Sequence, residues 1–144
     1  MKLRKTLSQQ KSKSREIVVK TLYEMDIGSL SPEEARERIA RKCKTVREFA
    51  LNLFDATVSN VSAIDNLIRD VAANWDLERM AAFDRNLLRV GIAELLFTDK
   101  TPHKVVINEA IEMAKRFSTE NSGKFVNAVL DKVARMKGAL RDNL

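Results

Sequence analysis

Glycine and proline are scarce in this sequence, with 4 and 2 among 144 residues. So few backbone breakers leave room for few turns, which argues against a β-sandwich, a collagen-like repeat or a disordered chain and favours packed helices. Cysteine and histidine occur once each, as Cys43 and His103. A lone thiol closes no internal disulfide and fits a reducing compartment; with a lone imidazole it leaves no cysteine-built metal site, so neither metal nor cofactor is expected. Long apolar runs are missing too. The longest stretch without a charge, Ala56 to Ile64, covers nine residues, whereas a membrane-spanning helix needs roughly 20 apolar ones. No apolar segment follows the positive N-terminus, so nothing reads as a secretion signal. A soluble, cytoplasmic chain with no membrane partner is expected.

Acid is absent from the first fifteen residues, and that absence is informative. Lys2, Arg4, Lys5, Lys11, Lys13 and Arg15 lie there, matching the whole formal net charge of +6, while acids and bases balance from Glu16 onward. The excess is confined to one end, which is a partner signal. Residues 1–13 read as a basic flexible arm and 14–144 as one helical domain of ordinary size. An arm of Ser, Gln and Lys cannot fold alone and commonly orders on the phosphates of a nucleic acid. The competing reading is a solvated tail.

Helical periodicity then runs through the chain. Ile17, Val18, Leu22 and Met25 predict a first helix over about 13–27, closed by Gly28. Ser31-Pro32-Glu33-Glu34 joins an N-cap hydroxyl, a first-turn proline and an N3 carboxylate, the firmest helix start in the sequence. Thr45 with Glu48, and Ser62 with Asp65, predict two further caps. Trp75 is expected to anchor a core. From Leu77 to Thr98 the apolar residues wrap most of a helical wheel, as in a central helix, with Arg85 and Arg89 sharing its one basic edge toward water or a ligand. Pro102 ends it, Val106 to Phe117 form another amphipathic helix, and Ser118 to Ser122 cap a last one. No strand pattern appears, so the fold is all-α, six or seven helices in one bundle-like domain.

Catalytic chemistry has little to stand on. A Cys43–His103 dyad needs two residues that by default are a small hydrophobe and a surface ring. Ser122-Gly123-Lys124 resembles the end of a phosphate-binding P-loop, but Ser118 stands where the first glycine belongs and no strand precedes it. Glu109 and Glu112 share a helical edge that more often faces solvent. Binding chemistry is better served. Ser122, Gly123 and Lys124 open the last helix, whose amides and positive dipole end attract anions, and Lys124 adds a full charge. Phe125 lies about 90° off the stripe of Val126, Val129, Leu130 and Val133 at 100° per residue. It is either an exposed ring for stacking a base or an edge of the core.

The segment FDRNLLRVGIAELLF, Pro102, and then VVINEAIEMAKRFSTENSGKFVNAVLDKV resemble the signature of the NusB family of transcription antitermination factors, and REIVVKTLYEMD resembles its first helix. The likeness spans nearly the whole chain. It implies two three-helix subdomains plus a seventh helix and a role that is not enzymatic. It also implies pairing with NusE, a small-subunit ribosomal protein, on the boxA element of ribosomal RNA leader transcripts, within the antitermination complex of RNA polymerase. Position by position, the family's basic N-terminal region maps onto Lys2 through Arg15. Its RNA-facing helix start maps onto Asn121, Ser122, Lys124 and Phe125, and its NusE-facing surface onto Tyr23 and Asp84. Two departures stand out. The arm mixes Lys and Ser where many members carry arginines, trading bidentate forks for point charges, and Ala128 replaces the usual glycine after Phe-Val-Asn. The alternative is a helical protein-protein interaction module without RNA binding of its own.

Overall fold

A computed structural model describes residues 6–98 and 100–138, and every regular element among them is helical. In chain order these are α1 (Leu7–Asp26), α2 (Pro32–Ala40), α3 (Lys44–Ser59), α4 (Val61–Val71), a 3-10 turn (Leu77–Arg79), α5 (Ala82–Ala93) running into a π-helical turn (Glu94–Thr98), α6 (His103–Phe117) and α7 (Glu120–Arg135). α1 starts earlier than its apolar stripe suggests. Thr6 and Gln9 form a capping box there, each side chain bonded to the other residue's N–H, so the helix draws its first turn from the segment expected to be flexible. α1 ends as expected. Gly28 has φ 85°, and the Gly28 and Ser29 amides donate to the carbonyls of Met25 and Glu24, the two bonds of a Schellman closure.

Ser31 caps α2, its hydroxyl accepting from the Glu34 amide. The other two expected caps are not formed. α3 starts one residue before Thr45, with Cys43 at its N-cap, and α4 starts at Val61 behind Asn60, neither start having a side-chain cap bond. Asp65 is drawn instead to Arg89, which donates to both its oxygens at 2.8 and 2.9 Å. A bidentate charge-assisted pair outweighs one neutral cap bond.

α1, α2 and α3 pack on one another, as do α5, α6 and α7, while α4 lies against α5 and α7. α5 touches α1, α3, α4, α6 and α7, and its buried Leu87, Leu88, Val90 and Ile92 join the core of both halves. This is why its hydrophobicity wraps the wheel. Gly91 permits the approach of α7: a Cβ there would stand 2.9 Å from Leu130 Cδ1. The basic edge of α5 is turned mainly to carboxylates of the chain itself. Arg85 and Asn86 donate to Asp26 Oδ2, both at 2.8 Å, and Arg89 bridges Asp26 and Asp65. Burial alone would raise the Asp26 carboxyl, but the hydrogen bonds from Arg85 and Asn86 and the charges of Arg85 and Arg89 outweigh it and hold the group below its ordinary value of 3.8. Pro102 caps the start of α6 rather than ending α5.

Candidate nucleic-acid interface

α7 begins at Thr119, whose hydroxyl accepts the Ser122 amide at 3.0 Å, and the Gly123 amide donates to the Thr119 carbonyl. The Ser122 hydroxyl donates to Asp84 Oδ2 at 2.7 Å. Asp84 is itself in the first turn of α5, so one carboxylate lies at the positive ends of two helix dipoles. This corrects the expectation of a vacant anion site. The protein's own carboxylate takes the place a phosphate would occupy, and Ser122 and Asp84 are 8% and 7% exposed. Ser122 therefore keeps only a sliver of surface, at the wall of a cleft, and Asp84 is not an exposed charge for a protein partner. Its other oxygen, Oδ1, is buried with no hydrogen-bond partner.

Asn121, Lys124 and Phe125 stay at the surface beside this network. Lys124 is exposed and makes no ion pair among the described residues, and Phe125 is half-buried. Its ring lies 4.5 Å from that of Trp75, tilted by 41°. Trp75 is the principal correction to the expected core. It is 58% exposed, because the chain turns outward after α4 and leaves the indole on the link to the 3-10 turn. Trp75, Phe125, Arg79, Asn121 and Asp84 line a cleft of about 560 Å³.

The basic segment divides into unlike parts. Lys2, Arg4 and Lys5 lie outside the described residues. Lys11 and Lys13 are on α1. The Lys11 ammonium is 5.5 Å from the Phe49 ring centroid, and exposed Lys13 is 3.8 Å from a Glu16 oxygen. Arg15 must be withdrawn from the interface. It is 3% exposed and donates through two nitrogens to Glu94, each at 2.7 Å, with Glu109 at 3.7 Å and the Phe49 ring 5.1 Å away. A guanidinium so enclosed ties α1 to the π-helical turn and has no face left for a phosphate.

Two cations missed in the sequence connect the regions. Arg116 shares a groove of about 340 Å³ with Lys13, and Lys115 packs over Gly123, its Cγ 3.8 Å from where a Cβ would stand. Both sit in the last turn of α6, where cations complement the helix dipole; that position was the available signal. Tyr23, half-buried on α1, lies 6.4 Å from Phe83, which lies 5.8 Å from Phe117. Lys20 and Arg116 stand over that last ring at 4.2 and 4.6 Å. Asp84 turns instead to Ser122, so the structure records no contact joining the two residues expected on one partner surface.

The NusB family model matches residues 12–135. The transcription antitermination protein NusB of Koribacter versatilis is 44% identical over 133 residues, covering 90% of this chain and 91% of its own. Among solved structures, T. maritima NusB superposes with a TM-score of 0.81 at 36% identity, covering all of both chains. A chain from the crystal structure of antitermination factors NusB and NusE in complex with dsRNA matches with a TM-score of 0.75 at 27% identity, over 88% of this chain and 97% of that one.

Proposed function

This chain belongs to the NusB family, and from that premise we propose how it works as a transcription antitermination factor: it binds boxA-type RNA of ribosomal RNA leader transcripts together with NusE, through the start of α7 and the basic end of α1. The observation that carries the reading is the conjunction at α7 of an unpaired lysine, Lys124, with a partly open ring, Phe125, at the mouth of a cleft. A cation holds phosphate without regard to sequence, and a ring face holds an unpaired base. Asn121 supplies an amide for base edges. Lys11, Lys13, Lys115 and Arg116 supply further cations, of which Lys13, Lys115 and Arg116 alternate with Glu16 and Glu112, and Lys2, Arg4 and Lys5 add to them in the sequence.

Tyr23, with Phe83 and Phe117 beside it and Lys20 and Arg116 above the last ring, is the surface best suited to NusE. Aromatic rings and arginine are enriched at protein interfaces. Asp84 contributes indirectly, by fixing the start of α7 against α5. The role is one of binding rather than turnover, and the setting is the cytoplasmic antitermination complex of RNA polymerase. No helix among the described residues is long and apolar enough to cross a membrane.

The test is a titration with a labelled single-stranded boxA RNA, with and without NusE, over a salt series. Phe125→Ala should weaken RNA binding by roughly 1 to 3 kcal/mol, the cost of one stacked base, and the loss should persist at high salt. A thermal melt accompanies it. Unchanged RNA affinity with a large fall in Tm would assign the ring to the core, and absence of RNA binding with NusE pairing intact would leave a protein-binding module.

A further inference from the structure

Trp75 is the largest exposed apolar side chain among the described residues, and the NusB reading gives it no task. It forms a wall with Phe125. On one side lies the 560 Å³ cleft that Asp84 and Asn121 line, and on the other a groove of about 170 Å³ lined by Val71, Ala72, Ala128 and Lys132. The two rings meet at 41°, so no base fits between them and only their outer faces remain available. Lys124 and Lys132 stand eight residues apart on α7, about 12 Å along its axis and roughly 80° around it. Both are exposed and in no ion pair among the described residues. An aromatic wall with an unpaired lysine on either side suits a single strand, with phosphates at the lysines and bases against the rings. Asp84 closes the floor of the cleft beside the rings but is 7% exposed, with Oδ1 buried, so the open ring face of Trp75 is what the cleft offers a base.

We propose that Trp75 is a second base platform of the RNA site: one unpaired base stacks on the Trp75 side of the wall, in the cleft it shares with Asn121, and the strand continues past Phe125 toward Lys132. This rests on the chain being an RNA binder.

Trp75 is the chain's single tryptophan, so its fluorescence reports this position alone. The probe is a labelled single-stranded boxA RNA, followed by anisotropy and by tryptophan emission in the same titration of the full chain. Emission should be quenched along the anisotropy isotherm. Trp75→Ala should weaken RNA binding about 5-fold to 150-fold at low and high salt alike, the equivalent of one stacked base, and Trp75→Phe should restore most of it. Because Trp75 is exposed, neither variant should lower Tm appreciably. If RNA binds with unchanged emission and Trp75→Ala keeps full affinity, the platform is overturned while RNA binding stands. If Trp75→Ala weakens pairing with NusE but not with RNA, the wall belongs to a protein interface and the platform is again overturned. If the unaltered chain binds no RNA, with or without NusE, the underlying reading fails and this one with it.

Discussion

The contact of α5 with α1 and α4 can be set against its contact with the start of α7. On the first side every charge is matched: Arg15 with Glu94, Arg85 with Asp26, Arg89 with Asp26 and Asp65. On the second side an acid keeps one oxygen without a donor, a lysine lacks a counter-ion, and the molecule's only tryptophan lies open. Matched charges hold helices in register and bind nothing further. A buried oxygen without a donor costs the protein stability, and an exposed lysine and an open ring are free to meet a partner. The difference also separates two chemistries of positive charge. On the matched side arginine forks grip carboxylates bidentately, whereas the start of α7 displays the point charge of Lys124.

The largest effect should come from opening the matched side. Glu94→Gln leaves the buried Arg15 guanidinium with only Glu109, 3.7 Å away, as counter-charge; breaking a buried pair costs up to about 3 to 5 kcal/mol. Chemical denaturation should show a midpoint shift of that size with little change in slope. RNA affinity, measured where the variant is still folded, should stay within about twofold, since Arg15 faces inward. A fall in affinity matching that of Phe125→Ala would show that the two sides are coupled and would break the comparison.

A smaller effect concerns pH. The Asp26 carboxyl is held below 3.8 in the folded state by its arginine and asparagine partners despite burial. A depressed folded value means the unfolded chain takes up the proton first. The stabilisation from this group is therefore complete above about pH 4, and is lost as pH falls through 3.8 toward the lower folded value. Asp26→Asn should be less stable than the parent at neutral pH, and its stability should fall less steeply in that acid window. Parallel curves for the two proteins would mean that Arg85 and Arg89 do not sense the charge.

The contrast explains which features could be read from the chain. Ser31 and Gly28 act through neighbours within a turn or two, the apolar pattern of α5 is written in its own consecutive residues, and the structure keeps each of them. The NusB likeness was legible for a similar reason, because its motifs are strings of adjacent residues. Arg15 was misread because its partner Glu94 is 79 residues away, and nothing local distinguishes a cation bound for the interior from one bound for a phosphate. The Ser62–Asp65 cap failed likewise, since Arg89 claims the acid from α5. Trp75 misled in the opposite sense. Its size and its helical spacing from Val71 argued for burial, but α4 ends at Val71, and a periodicity argument does not extend past the end of its helix. Among the expected site residues, Lys124 and Phe125 keep open faces, while Ser122 and Asp84 became the support on which they rest.

The smallest effect sharpens the unmatched side, because it separates charge from stacking within two adjacent residues. Lys124→Ala removes one point charge from the start of α7 and leaves Phe125 in place. If that ammonium neutralises one phosphate, the slope of log affinity against log salt should fall by about 0.7, the single-strand increment for one contact. The loss should then shrink as salt rises, because the counterion released by Lys124 is no longer an advantage in concentrated salt. Phe125→Ala should behave in the opposite way, with the slope kept and the loss constant across the series. Lys13→Ala, on α1 and already 3.8 Å from a Glu16 oxygen, should change the slope less than Lys124→Ala does, since an intramolecular carboxylate already screens part of its charge. Equal slopes for the two lysine variants would show that the pairing seen on α1 does not persist when RNA is bound, and the line between matched and unmatched charge would then have to be drawn inside α1 rather than around it.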